Sequence, residues 1–390
     1  MRFVAFFLVA FLVLGLGHYY LWRRIVRDTG VSGRIRRILT AVILLAALFL
    51  VPVWLLSLRL PRALVAWPAM VAFTWKGLVY YAILILLCWD VVLLLALPLL
   101  RLRRRSGVQG EPDPARRLFL RRAAAGTATL GSAAVGLVGV RHALHDMDTP
   151  RVPVKLERLP RTLQGLRIAV ISDLHLGPLM GSEFTERIAS ITRDLKPDLV
   201  ALTGDLVDGS VEHLGRDVSP LADIPSRFGT FFITGNHEYY SGPVSWMDHF
   251  RRLGIRVLDN ERVTIGDAGG SFDLAGVHDF GATRLGLGPQ PDLRRALAGR
   301  DPERELVLLA HQPKHVDEAA EHHVGLQISG HTHGGQIWPF GALTALAQPY
   351  IQGLHRHHDR TWIYVSRGTG FWGPPMRILA PPEISLIVLV

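Results

Sequence analysis

The chain reads as an α/β domain behind an α-helical membrane region. Three observations predict this. Before residue 150, apolar runs of membrane-spanning length alternate with arginine clusters. After it, short apolar strands alternate with helical segments. Where those strands end, residues able to bind a metal recur.

The 390 residues leave room for two domains, or for one domain and a membrane part. Half of the residues are hydrophobic (49%), and the formal charge is +10. That charge is unevenly spread. Residues 1–150 hold 19 Lys+Arg against 6 Asp+Glu, and the remainder holds 24 against 27. A basic chain can indicate nucleic acid. Here the positive charge lies between apolar runs, which is a mark of membrane topology. The mildly acidic second part argues against strong DNA affinity, so no nucleic-acid partner is expected. Cys88, the lone cysteine, excludes an internal disulfide and a cysteine-based zinc site.

The membrane region is expected over residues 1–149. Spans are read at 3–22, 38–58, 78–100 and 123–140. The first lacks the basic start and small-residue cleavage site of a signal peptide. The third contains Asp90, either a functional acid or one paired between helices. The fourth is Ala/Gly-rich and uncharged. It follows Arg116-Arg-Leu-Phe-Leu-Arg121, which reads either as a twin-arginine-like export motif or as a plain basic anchor. Six arginines in 23–37 and eight in 101–122 outweigh Arg59, Arg62 and Lys76 in the 59–77 loop. The positive-inside rule then puts both arginine-rich loops in the cytoplasm and everything after residue 141 outside. Without the fourth span the second half would be cytoplasmic.

Pro150, Pro153 and Pro160 mark an extended linker over 150–164, and the α/β domain is expected over 165–390. Its strand–helix order begins with a buried strand ending at Ile171. A helix from Ser182, read as its N-cap, to Leu195 follows. Next come a strand at 199–203, a possible helix at 211–223, a strand at 229–234 and a helix at 243–253. The pattern then changes to short strands near 256, 262 and 272, with further strands at 306–310, 326–330, 362–366 and 384–389 and a helix at 313–321. Alternation of this kind places a site at the carboxyl ends of the sheet.

Five strand ends carry metal-competent residues: Asp173 and His175, Asp205, Asn236 and His237, His311, and His331 with His333. In extended backbone, Asp173 and His175 would point the same way. Taken singly, Asp205 could be a turn residue, His311 a helix cap and His331-Thr-His333 a surface turn. Together on one edge they form a ligand set. Three carboxylate or amide oxygens and four imidazoles, leaving His237 aside, suit two divalent ions sharing a carboxylate. Such ions lie ~3.5–4 Å apart and activate a water between them for in-line attack on a phosphate ester. The mixed donors are compatible with Mn, Fe or Zn.

Asp173-x-His175, Gly204-Asp205, Gly235-Asn236-His237-Glu, His311 and Gly330-His331-Thr-His333 resemble the motif blocks of the calcineurin-like metallophosphoesterases, in the family's order and spacing. The resemblance covers roughly residues 165–390. It implies a four-layer α/β/β/α sandwich. It also implies one metal held by Asp173, His175, Asp205 and His333, and a second held by Asp205, Asn236, His311 and His331. His237 would meet the phosphate and stabilise or protonate the leaving oxygen. The tail Gly334-Gly-Gln336 and the stretches Gly368-Thr-Gly and Pro382-Glu-Ile are similar to the membrane-linked bacterial branch, some of whose members act on lipid-linked pyrophosphates. The expectation is therefore a phosphomonoesterase or phosphodiesterase in a bacterial cell membrane, its catalytic domain extracytoplasmic and its substrate a phospholipid or lipid pyrophosphate. The competing expectation is a membrane sensor whose phosphatase-like domain only binds a partner.

His278-Asp279 reads as a surface turn or as a flank of the site, and His355-Arg-His357-His358 as a solvated loop near it, with metal or phosphate binding as the other reading. His322-His323 reads as structural. Trp338, Phe371 and Trp372 are expected in the core, with an apolar rim over the site or contact with lipid headgroups as the other readings.

Overall fold

A computed structural model describes residues 2–57, 59–105, 113–281 and 286–390. The chain divides into two units, Met1–Arg59 with Trp67–Val140, and Leu60–Ala66 with Arg141–Val390.

Four long helices come first: α1 (Arg2–Trp22), α2 (Gly33–Ser57), α3 (Arg62–Arg105) and α4 (Pro114–His145). Among the described residues, Gly33–Ser57, Arg62–Ala96 and Pro114–His145 are long and apolar enough to cross a membrane. The side chains of 3–10 in the first expected span, those of 101–105 and all of 106–112 in the arginine-rich loop lie outside the described residues. The 59–77 interval, expected to be a loop, is helical from Arg62 onward. Its Ala, Leu, Val, Met and Phe content carries the helix through one lysine and through Pro68. Leu45, Leu94 and Leu137 point outward, which suits a hydrocarbon surrounding.

The Ala/Gly content of 123–140 has a packing cause. Ala124 and Ala128 are buried against Leu21, Val79, Ala82 and Leu86, and a Cβ on Gly131 would stand 3.0 Å from Ile85. Small residues let helices approach this closely in a membrane. Asp90 is paired between helices: it accepts from Tyr20 Oη at 2.6 Å and forms a close ion pair with Arg24.

The second unit holds two six-stranded sheets. The first contains β1 (Arg151–Val154), β2 (Arg167–Ile171), β3 (Leu199–Leu202), β4 (Thr230–Phe232), β5 (Arg256–Val257) and β12 (Ser385–Leu389), in spatial order β1-β12-β2-β3-β4-β5. The second contains β6 (Glu261–Asp267), β7 (Gly270–Gly276), β8 (Leu306–Leu309), β9 (Leu326–Ser329), β10 (Gly353–His357) and β11 (Thr361–Val365), in order β10-β11-β9-β8-β7-β6. Strands β2 to β5 run parallel, as do β7, β8, β9 and β11, so both sheets gather strand carboxyl ends on one edge.

Alternation sorts the side chains into layers. Ile168, Val170, Leu199 and Ala201 face Phe272, Leu274, Val307 and Leu309 between the sheets. On the outer face of the first sheet, Ala169, Ile171, Val200 and Leu202 pack against α5 (Ser182–Asp194) and the helix Pro243–Arg252 through Ile188, Trp246 and Phe250. On the outer face of the second, Ala275, Leu306 and Leu308 meet the helices Leu293–Ala296 and Val316–Glu321. This is a four-layer α/β/β/α sandwich preceded by long apolar helices.

Several expectations change. The 150–164 linker contributes an edge strand, β1, and buries Leu156, Leu159 and Leu163 in the central core. Pro153 is tolerated because β1 has a neighbour on one side only. The expected 211–223 helix shrinks to one turn, α6 (Val211–Leu214), and a tighter turn at Ser219–Leu221. Gly215 and Pro220 interrupt it. α5 is capped by Gly181 rather than Ser182. His355 and His357 lie in β10 rather than in a loop. His278 and Asp279 are buried rather than at a surface turn.

Candidate metal centre

Each expected ligand sits just past the carboxyl end of a parallel strand. Asp173 and His175 follow β2, Asp205 follows β3, Asn236 and His237 follow β4, His311 follows β8, and His331 and His333 follow β9. The expected extended backbone at Asp173 and His175 is not what aligns them. Asp173, His175, Asp205, His331 and His333 all have φ between 50° and 72°. Non-glycine residues in this left-handed region cost roughly 1–3 kcal/mol each and concentrate at functional sites. Here each left-handed residue turns the chain sharply out of its strand, and the side chains fold back over the sheet edge.

Two adjoining clusters result. Asp173, His175 and His333 bring ligand atoms within 4.8 Å of one another, and Asp205, His311 and His331 do the same. In the first, His175 Nε2 is 3.0 Å from His333 Nε2, which lies 3.6 Å from Asp173 Oδ1. In the second, His311 Nε2 is 3.1 Å from Asp205 Oδ2 without hydrogen-bond alignment. Nδ1 of His311 donates to the Thr203 carbonyl at 2.8 Å, which leaves Nε2 as the ring atom turned toward Asp205. Asn236 Oδ1 is buried and has no hydrogen-bond partner among the described residues.

These unmet atoms, with carboxylate and imidazole donors converging, fit a divalent transition metal. Burial drives the His331 imidazole down to about 3 and, with Arg377 adding to it, holds His333 well below its ordinary value. Both are then neutral at physiological pH, the form that ligates a cation. Burial opposes charge on Asp205, but His311 and His237 more than offset it and hold the carboxyl well below the usual range.

Three residues that sequence reasoning missed hold this arrangement. Asp208 lies between two rings: His175 Nδ1 approaches it at 3.2 Å, and His237 Nδ1 makes a short contact. Burial alone would lower His237, yet the Asp208 carboxylate raises it to about 9. Glu238, fully buried, accepts from the backbone N–H groups of Asp205 (2.9 Å), Leu206 (2.8 Å) and Gly235 (2.6 Å), tying the loops after β3 and β4 together. Arg377, also fully buried, donates to the carbonyls of Gly370, His333, Arg367 and Ala380 and reaches His333 Nδ1 at 3.2 Å. A detectable signal existed for Asp208 and Glu238, since each is an acid beside an identified ligand. Arg377 stands in a Gly/Pro-rich stretch with no pattern to mark it.

Two consequences are measurable. A Cβ on Gly235 would fall 2.2 Å from Asp205 Oδ1 and 2.5 Å from its amide nitrogen. Gly235→Ala is expected to displace Asp205, reduce bound metal measured by mass spectrometry, and destabilise by about 1–3 kcal/mol. Arg377→Met leaves several buried carbonyls without a donor. It is expected to cost at least about 3 kcal/mol, lowering the thermal midpoint of the detergent-purified protein by roughly 6–12 °C.

Of the other expected residues, Phe371 is buried, whereas Trp338 and Trp372 are exposed rather than in the core. The Trp372 ring lies 5.8 Å from that of His237, at the mouth of the site. His322 and His323 lie past the end of helix Val316–Glu321, away from both clusters.

The model of the calcineurin-like phosphoesterase family matches residues 166–335. A Danio rerio "transmembrane protein with metallophosphoesterase domain" is 34% identical over 99% of this chain and 89% of its own length. An uncharacterized metallophosphoesterase of Campylobacter jejuni is 31% identical over 100% of this chain and 99% of its own. Among solved structures, phosphopantetheinyl hydrolase from Mycobacterium tuberculosis aligns over 56% of this chain and 98% of its own at 14% identity, with a TM-score of 0.36.

Proposed function

Since the chain belongs to the calcineurin-like metallophosphoesterases, in a form carrying membrane helices, we propose that it hydrolyses phosphate-ester or pyrophosphate bonds of a lipid-linked substrate. The observation that carries this reading is the pair of adjoining donor clusters with His237 beside them.

Asp173, His175, Asp205 and His333 would hold one divalent ion, and Asp205, Asn236, His311 and His331 the other. When bound, such a pair acidifies a water and neutralises charge on phosphoryl oxygens. The remaining chemistry belongs to the chain. Asp208 fixes the His237 ring through Nδ1, so that Nε2 is the ring atom that would meet the substrate. The His237 backbone N–H donates to Asp205 Oδ1 at 2.7 Å, which keeps ring and carboxylate in register. A proton held at Nε2 can pass to the leaving oxygen as its bond to phosphorus breaks. Glu238 limits movement of the loops carrying both groups. All seven expected ligands are present, so nothing favours the non-catalytic sensor.

For a bacterial membrane, the arginines of 23–37 and 101–122 belong in the cytoplasm, and α4 then carries the sandwich to the outer side. The Arg116–Arg121 motif occupies the first turns of α4, among the cytoplasmic charges.

The test uses detergent-purified full-length protein, stripped with a chelator and resupplied with Mn²⁺, Fe²⁺ or Zn²⁺. Hydrolysis of bis(p-nitrophenyl) phosphate and of a polyprenyl pyrophosphate is expected only after resupply. Metal uptake without turnover of any ester would defeat the enzymatic reading. Turnover confined to soluble esters would defeat the lipid part alone.

A further inference from the structure

The metal-bearing edge is bordered by a surface with almost no charge. From Gly334 to Leu354 the sequence holds no Asp, Glu, Lys or Arg. In the neighbouring stretch 368–382 the only charged residue is Arg377, which is fully buried. The side chains these segments turn outward are Trp338, Phe340, Leu343, Leu346, Trp372 and Leu379, with Leu346 85% and Leu379 75% exposed. The short helix Gly341–Thr344 buries none of its residues. Isolated exposed apolar residues are ordinary, but six large ones on adjoining uncharged segments are not.

The segments are fastened to one another and to the site. Trp338 N donates to the Ile378 carbonyl at 3.2 Å, and Ile378 N to the Gln336 carbonyl at 2.9 Å. The Gln336 side-chain amide bonds both backbone groups of Trp372, each at 2.9 Å. At the far end, buried Gln348 donates to Gln312, the neighbour of His311, at 3.3 Å. The apolar loop 337–347 therefore leaves the edge beside His333 and returns to it beside His311.

We infer that this surface, with loop 337–347 at its centre and Trp372 and Leu379 beside it, inserts into the face of a lipid bilayer and brings the metal-bearing edge to headgroup level. Three features select a bilayer as the occupant. Helices of membrane-spanning length in the same chain hold the domain at a membrane. Indole rings beside aliphatic tips match the division of a bilayer into interface and hydrocarbon. The absence of charge removes the principal cost of entering it. A phosphate in a lipid headgroup would then reach His237 without its acyl chains leaving the membrane. The inference rests on the membrane part of the proposed function and not on catalysis.

The test places nitroxide labels on full-length protein in phosphatidylcholine–phosphatidylglycerol nanodiscs, with Cys88→Ser as background. Labels at Leu346→Cys and, separately, Leu379→Cys are expected to collide severalfold more with oxygen than with aqueous chromium oxalate. Glu303→Cys, exposed before the amino end of β8, is expected to show the reverse. Chromium oxalate reaching positions 346 and 379 as readily as position 303 would overturn the inference. So would protection that appears only in discs holding two copies, which would assign the surface to a second chain. Because the readout needs no turnover, a catalytically silent protein would leave this result standing or falling by itself.

Discussion

Asp205→Asn is expected to lower turnover of bis(p-nitrophenyl) phosphate in saturating Mn²⁺ by about a thousandfold. The residue belongs to the cluster with His311 and His331, and its carbonyl accepts from the His175 N–H of the other cluster at 3.1 Å. Its Oδ1 accepts from His237 N at 2.7 Å, its Oδ2 lies 3.1 Å from His311, and its own N–H is held by Glu238. The amide keeps the size of the side chain and removes its charge. It also turns an N–H₂ group toward a neighbour that already donates or toward one that must remain a ligand. Bound metal should therefore fall along with turnover, which mass spectrometry on the purified variant can follow. A variant within about tenfold of wild type and fully metallated would show that Asp205 is not shared between ions, and the assignment of the whole centre would fail with it.

His237→Ala is expected to lower the rate by about 10²–10⁴, the usual contribution of a positioned general acid, without comparable loss of metal. The loss should be smallest for p-nitrophenolate, which departs without help, and largest for an alkyl ester, which needs the proton. Asp208→Asn should produce a milder fall, about 10–100-fold, because it releases the ring rather than removing it. Combining the two should cost little more than His237→Ala alone, since the groups act as a unit. Equal losses for both leaving groups would assign His237 to phosphate binding instead of proton transfer.

The sandwich was largely legible because buried parallel strands are near-continuous apolar runs, and each ended at a residue with an obvious chemical use. Asp173, Asp205 and His311 could be found that way. Three kinds of feature could not. β1 and β10 are edge strands, and the polar or proline-bearing look of Arg151-Val-Pro-Val and His355-Arg-His357 conceals pairing on one side only. Arg377 acts through partners distant in sequence, so nothing local distinguishes it from a solvated charge. Trp338 and Trp372 follow an average preference for burial that does not foresee an uncharged exposed surface. The left-handed backbone at five ligands was equally invisible, because residue type alone suggests an ordinary turn.

The placement of Ser385–Leu389 between Arg151–Val154 and Arg167–Ile171 has a consequence for biogenesis. The strand leading to Asp173 keeps an open side until Ser385–Leu389 has left the ribosome. Until then the nascent chain exposes a β-edge able to pair with strangers, and a holdase that shields it is expected to raise the yield of folded protein.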